Sequence, residues 1–196
     1  AFADGFAKKV AKGLDLMALH GVNPRTGTAS SVIGDNHFDK KVTQAVTIAA
    51  SDKPDTSVEA AIALVQGAER DVTGMILAPS FKSALAAQTT TDGAKLYPQL
   101  AWGANPGEVN GLRVESTSNL SSGSSLDRAL VGDFTNCFKW GYAKEIPIEV
   151  IQYGNPDNDT TLGDLKGHNQ VYLRGEAYIG WGILDAAAFA HIKASA

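Results

Sequence analysis

Val171-Tyr172-Leu173-Arg174-Gly175-Glu176, continued by Ala177-Tyr178-Ile179-Gly180-Trp181-Gly182-Ile183, is the stretch that decides how this chain reads. Val171, Leu173, Ala177, Ile179, Trp181 and Ile183 occupy alternate positions, with Tyr172, Arg174, Glu176 and Tyr178 between them. That two-residue period is the pattern of a strand with one covered face. An earlier run sets Ile146, Ile148 and Val150 against Pro147, Glu149 and Ile151, and residues 154–169 between the two runs are polar. The pair predicts two long antiparallel strands joined by an extended tip, with Glu149 facing the charged side chains Arg174 and Glu176.

Working outward, the first 17 residues place Phe2, Phe6, Val10, Leu14 and Met17 in one helical arc and Asp4, Lys8, Lys12 and Asp15 in the opposite one. This amphipathic helix is already running at its first turn, with no capping residue ahead of it, so it reads as the cut end of a longer helix. Residues 21–38 form an irregular connection. Residues 43–49 read as a strand, and Thr56-Ser57-Val58-Glu59 as a capping box opening a helix to about residue 69. Gly74-Met75-Ile76-Leu77-Ala78 reads as a buried strand, with Ser80 capping a second helix. Residues 89–111 show no period but carry isolated large apolar side chains, among them Leu96, Tyr97, Leu100 and Trp102. Strands are predicted at 112–115, 129–134 and 138–142, with a Ser-rich turn at 116–125 and a helical turn or last strand at 185–189.

With 196 residues and 44% hydrophobic side chains, the chain has enough material for a buried core without metal or disulfide support. The single cysteine, Cys137, fits a fold that uses no disulfide. A net charge of −4 with no cluster of Lys and Arg argues against sequence-specific nucleic-acid binding, and no apolar run has the length of a membrane span. Catalytic patterns are missing: there is no phosphate-cradling glycine loop and no Gly-x-Ser-x-Gly elbow. His20, His37, His168 and His191 never fall at a spacing that puts two on one helix face. Asp35, His37 and Asp39 alternate, a pattern better explained by turn chemistry than by a metal. The tip Asn155-Pro156-Asp157-Asn158-Asp159-Thr160 fails as a calcium loop, having Thr160 where glycine and Lys166 where glutamate are required. The expectation is a protein that is no enzyme and uses no cofactor or metal.

The order of elements is more informative than any single motif. The opening amphipathic helix ending in Leu14-Asp15-Leu16-Met17, an α/β middle, Val131-Gly132-Asp133-Phe134, the hairpin strand at 171–176 and the closing Asp185-Ala186-Ala187-Ala188-Phe189 together resemble the major capsid proteins of tailed bacteriophages. The resemblance implies an α+β fold of the tailed-phage capsid type, truncated at its N-terminus, with an arm and an extended hairpin arm missing ahead of the helix. It implies a peripheral domain from 1–43 and 145–181, and an axial domain from 44–144 and 182–196. It further implies a virion component, assembled in the bacterial host cytoplasm, whose main partner is itself in pentamers and hexamers, alongside scaffold, protease or portal proteins.

On that reading, residues 89–111 are the axial loop, and Leu96, Tyr97, Leu100 and Trp102 are candidate subunit contacts. Asp157, Asn158, Asp159, Asp164, Lys166 and Asn169 at the hairpin tip are the second candidate interface. Two other readings compete: an encapsulin-like compartment shell with the same fold, and a small α/β enzyme or ligand-binding domain using 89–111 as a lid. The last lacks support, because that loop holds only Asp92, Lys95 and Glu108 as charged groups. From charge alone, duplex DNA should bind weakly and salt-sensitively. A fluorescence anisotropy titration at about 150 mM salt checks this, and submicromolar affinity would contradict it.

Overall fold

The computed structural model describes residues 2–123, 125–144, 148–156, 158, 160–161, 163–175 and 178–195, with only the backbone described for Phe2, Ala3, Asp4, Phe6, Lys144 and Ile148. Expectations placed on Ile146, Pro147, Asp157, Asp159, Glu176 and Ala177 lie outside the described residues. The chain divides into two compact units, one of residues 1–139 and 182–196, the other of residues 140–181.

The larger unit is built on a six-stranded mixed sheet. Its strands are β1 (Ala45–Ile48), β2 (Gly74–Leu77), β3 (Glu108–Val109), β4 (Leu112–Ser116), β5 (Asp127–Gly132) and, from the far end of the chain, β10 (Phe189–Ala194). They lie in the order β1-β10-β5-β2-β4-β3. β10 runs parallel to β1 and antiparallel to β5, β5 is antiparallel to β2, and β2 is parallel to β4. Central β5 reads Ala129-Leu130-Val131, all at 0% exposure, the continuous apolar run of a strand covered on both faces.

Among the described residues, four helices accompany the sheet: α1 (Phe2–His20), α2 (Phe38–Lys41), α3 (Pro54–Gly67) and α4 (Pro79–Ala87). α3 packs on β1, β10 and β5 through Ala61 and Val65 at its buried face. The N-termini of α3 and α4 differ from the capping box expected at Thr56 and the cap expected at Ser80. Both begin with proline, after Lys53 and Ala78 respectively, neither of which makes a side-chain cap. Proline at the first helical position lacks the N–H that a cap would satisfy and presets φ, so it starts the helix earlier than the hydroxyl does. The described residues contain no helix long and apolar enough to cross a membrane.

Residues 1–43 cluster in the larger unit. The reason is burial: Leu19, Phe38 and Val42 are in its core, and α1 packs on α2. Phe38 is the hub of an aromatic cluster, with ring centroids 5.1 Å from Phe189, 5.3 Å from Phe138 and 6.2 Å from Phe134. Phe134 in turn stands edge-on to Phe189 at 5.2 Å. Such tilted and edge-to-face arrangements add about 0.5–1.5 kcal/mol per pair beyond area burial.

In the smaller unit, β7 (Ile148–Ile151) and β8 (Tyr172–Gly175) form an antiparallel ribbon, pairing Glu149 with Arg174 and Val150 with Leu173. The expected hairpin strands and the placing of Glu149 opposite Arg174 therefore hold. β9 (Tyr178–Ile183) pairs instead with β6 (Phe138–Lys144), so the long alternating run is divided between two partner strands. On β6, the exposed rings of Trp140 and Tyr142 meet edge-on at 5.3 Å.

Two predictions follow from the β5–β10 junction. A Cβ on Gly132 would collide with the Ala188 carbonyl and the Phe189 ring, so Gly132→Ala should cost about 3 kcal/mol in urea unfolding. Next to it, the Asp133 carboxylate accepts from Thr73 Oγ1 (3.1 Å), Asn136 N (3.0 Å) and Asn136 Nδ2 (2.9 Å). Burial pushes its pKa up, but these bonds outweigh burial and hold it below the usual carboxylate value. The stability they contribute is present above about pH 4 and is lost as pH falls through the depressed folded value. The stability gap between wild type and Asp133→Asn, followed by chemical denaturation, should therefore narrow as pH drops below about 4.

Candidate assembly surfaces

The segment between α4 and β3 is fixed from within despite its lack of period. Thr89 and Lys95 form an isolated antiparallel bridge, Leu96 N donates to Gln88 O (3.1 Å), and Lys95 Nζ donates to Ala86 O (3.0 Å). A 3-10 turn, Pro98–Gly103, then packs on α4. Lys82 of α4 clamps the far side, its Nζ donating to Asn105 Oδ1 (2.5 Å), Gly103 O (3.2 Å) and Ala104 O (3.4 Å).

The four apolar side chains predicted here as contacts have three fates. Leu100 is 1% exposed, a core residue that anchors the turn, and so it is not offered to a neighbour. Tyr97 is half-buried against the core, and burial raises its hydroxyl pKa above the ordinary value. Leu96 and Trp102 remain exposed, Trp102 completely so at 104%. Trp102 also holds φ 59° and ψ 23°, a left-handed conformation disfavoured for a bulky residue. The Lys82 clamp on the carbonyls of residues 103 and 104 holds that backbone in place, and the indole is projected into solvent as a result. A cavity of about 590 Å³ lies beside it, lined by Pro79, Lys82, Ser83, Ala86, Leu100 and Trp102. A rigidly held, fully exposed Trp beside a concave surface has the character of an interface anchor.

At the hairpin tip the predicted residues also separate. Asp164 folds the loop: its carboxylate accepts from Gly154 N (2.7 Å) and Gly167 N (3.3 Å), while Leu165 N donates to Gly154 O (3.0 Å). Asn158, Lys166 and Asn169 are exposed, with Asn158 and Asn169 in the left-handed region at φ 53° and 52°. Asp157 and Asp159 lie outside the described residues.

Sequence reasoning missed a third feature, a polar cluster in the larger unit that runs from half-exposed Asp39 to buried Asp127 and His191. His20 at the end of α1 contacts Asp39 of α2 at 2.7 Å, and His191 of β10 contacts Asp127 of β5 at 3.0 Å. Burial pushes the Asp127 carboxyl up, but His191, Asp39 and Lys193 outweigh it and bring it down to about 2. Burial likewise lowers His20, and its bonds to Asp39 and Asn119 reverse that to a raised pKa. No local motif joins positions 20, 39, 127 and 191, so only the fold reveals them.

Comparison with known proteins gives the geometry a family. Residues 2–194 match the family described as "Phage capsid family". No curated protein matches. Among solved structures, one described as Mycobacterium phage Ogopogo is 32% identical with a TM-score of 0.87, over 99% of this chain and 67% of that one. A Gordonia phage Cozz structure is 22% identical with a TM-score of 0.83, over 98% of this chain and 62% of that one. A structure described as the capsid of an empty GTA particle, 15% identical with a TM-score of 0.62, shares the fold over 100% of this chain and 65% of that one. The chain thus spans roughly two thirds of the length of these solved relatives, and by the family match over nearly all its residues and the 32% identity it belongs to the phage capsid family.

Proposed function

We propose that this chain is the body of a structural subunit that associates with copies of itself into pentamers and hexamers of an icosahedral phage capsid enclosing packaged DNA. The observation that carries this reading is the family match across residues 2–194. The exposed, rigidly held Trp102 supports it, because a lone indole in solvent is best explained by a partner surface that covers it.

In this role residues 44–144 and 182–196 serve as the axial part and residues 145–181, with 1–43, as the peripheral part. Leu96 and Trp102 meet neighbours around the capsomer axis, and Asn158, Lys166 and Asn169 meet adjoining capsomers. The work is association and involves no chemistry on a substrate. Scaffold, protease and portal proteins are the further contacts of such an assembly, which forms in the host cytoplasm and ends in the virion.

Replacing Leu96 and Trp102 together by Ser tests the axial contact. Assembly of the protein, followed by sedimentation velocity and negative-stain microscopy, should be impaired while its Tm stays within about 2 °C of wild type, since both side chains are solvent-exposed before association. Unimpaired assembly would remove these residues from the interface. A wild-type protein that remains monomeric under conditions where related capsid proteins assemble would count against the structural role itself.

A further inference from the structure

We propose that His20, Asp39 and Asp127 form a binding site for a divalent transition-metal ion of the zinc class, tying α1, α2 and β5 together. One ligand atom from each of the three residues lies within 4.8 Å of the other two. The residues come from three separate elements, so a bound ion would act as a cross-link.

The hydrogen bonding of His20 fixes which atom is the ligand. Its Nε2 stands 2.8 Å from the Asn119 carbonyl oxygen, which can only accept, so Nε2 carries a proton. This leaves Nδ1 to face Asp39 Oδ2 at 2.7 Å. A ring held by N–H donation to a backbone carbonyl, with its other nitrogen aimed at carboxylates, is the usual support of a metal-ligating histidine. An ion entering here takes the place of the proton shared by Nδ1 and Asp39, which leaves to solvent.

A second, independent observation points to a ligand. Asp127 is 1% exposed, and its Oδ1 has no hydrogen-bond partner, although Oδ2 accepts from Ser125 Oγ at 3.0 Å. The neighbouring His191 Nδ1, 3.0 Å from that oxygen, is buried and equally without an aligned hydrogen bond. Oδ1 is thus held by ion pairs without an aligned hydrogen bond, and a carboxylate so deeply buried gains from a further cation on the side of His20 and Asp39. Lys193 Nζ at 3.8 Å is the only other cation paired with Asp127 among the described ion pairs, and it is too far for a hydrogen bond.

A route to the site exists. A cavity of about 600 Å³ is lined by two of the three ligands, His20 and Asp39, together with Ser122, Ser125 and Lys193, and Lys193 in turn pairs with Asp127 at 3.8 Å. One imidazole nitrogen with two carboxylates suits zinc or manganese, whereas magnesium and calcium favour sites made only of oxygen.

The test is titration of the purified protein with Zn²⁺ by calorimetry, with thermal unfolding in parallel and Mg²⁺ as the control. Wild type should bind one Zn²⁺ with a Kd below about 100 μM and gain roughly 5 °C in Tm at a hundredfold excess over Kd, while Mg²⁺ gives no comparable shift. Asp39→Asn keeps the size and the acceptor facing His20, and should weaken Zn²⁺ binding at least about tenfold. Lys193→Met removes a competing cation and should bind Zn²⁺ as tightly as wild type or more so. Absence of saturable binding, or binding unchanged by Asp39→Asn, overturns the proposal. If Asp39→Asn does not fold, the zinc anomalous signal in wild-type crystals decides: a peak bonded to His20 Nδ1 and Asp39 supports the site, and a peak only at His37 or His168 overturns it.

Discussion

The backbone seam between β5 and β10 is the constraint on which the larger unit depends. β10 occupies the slot between β1 and β5, so every hydrogen bond joining the β1 edge to the rest of the sheet passes through it. The register is pinned where Phe189 faces Gly132, since only a residue without a side chain lets the Phe189 ring and the Ala188 carbonyl approach so closely. From there Phe189 reaches Phe38 and Phe134, and the aromatic cluster draws α2 onto the same place. Shifting the seam by one residue would turn these rings away from the core and leave Asp127 without His191.

The two candidate assembly surfaces obey a common logic. In each, a charged side chain spends its hydrogen bonds on the loop's own backbone: Lys82 on carbonyls at 103 and 104, Asp164 on the N–H groups of Gly154 and Gly167. Loops tied in this way lose little conformational entropy on association, so contact energy is not consumed in ordering them. The apolar or polar groups left outward, Trp102 in one and Asn158, Lys166 and Asn169 in the other, are then presented in fixed positions.

What the sequence showed and what it hid follow from the distance over which each signal acts. Alternation over 146–151 and 171–175 is local, and it correctly gave the strand pair and the Glu149–Arg174 facing. The division of the second run between β8 and β9, each with a different partner, involves strands far apart in sequence and left no local trace. Helix starts were displaced because Pro54 and Pro79 outrank a hydroxyl cap. Within 89–111 the sequence singled out the large apolar residues but could not separate Leu100, which plugs the core, from Trp102, which leaves it. The His20–Asp39–Asp127–His191 cluster was invisible, because its members share no helix face or strand period.

The strand order also bears on how the molecule comes into being. Residues 45–132 hold β1 to β5, yet β1 has no partner among them, and one side of β5 stays unpaired until residues 189–194 arrive. The whole smaller unit, residues 140–181, is synthesised in between. A nascent chain therefore exposes two open strand edges for some 60 residues of translation, at rates of about 5–20 residues per second. During those seconds the edges are open to pairing with another chain or to capture by a chaperone. Strand β10 thus serves as a timer: the larger sheet is complete only when translation has passed residue 194.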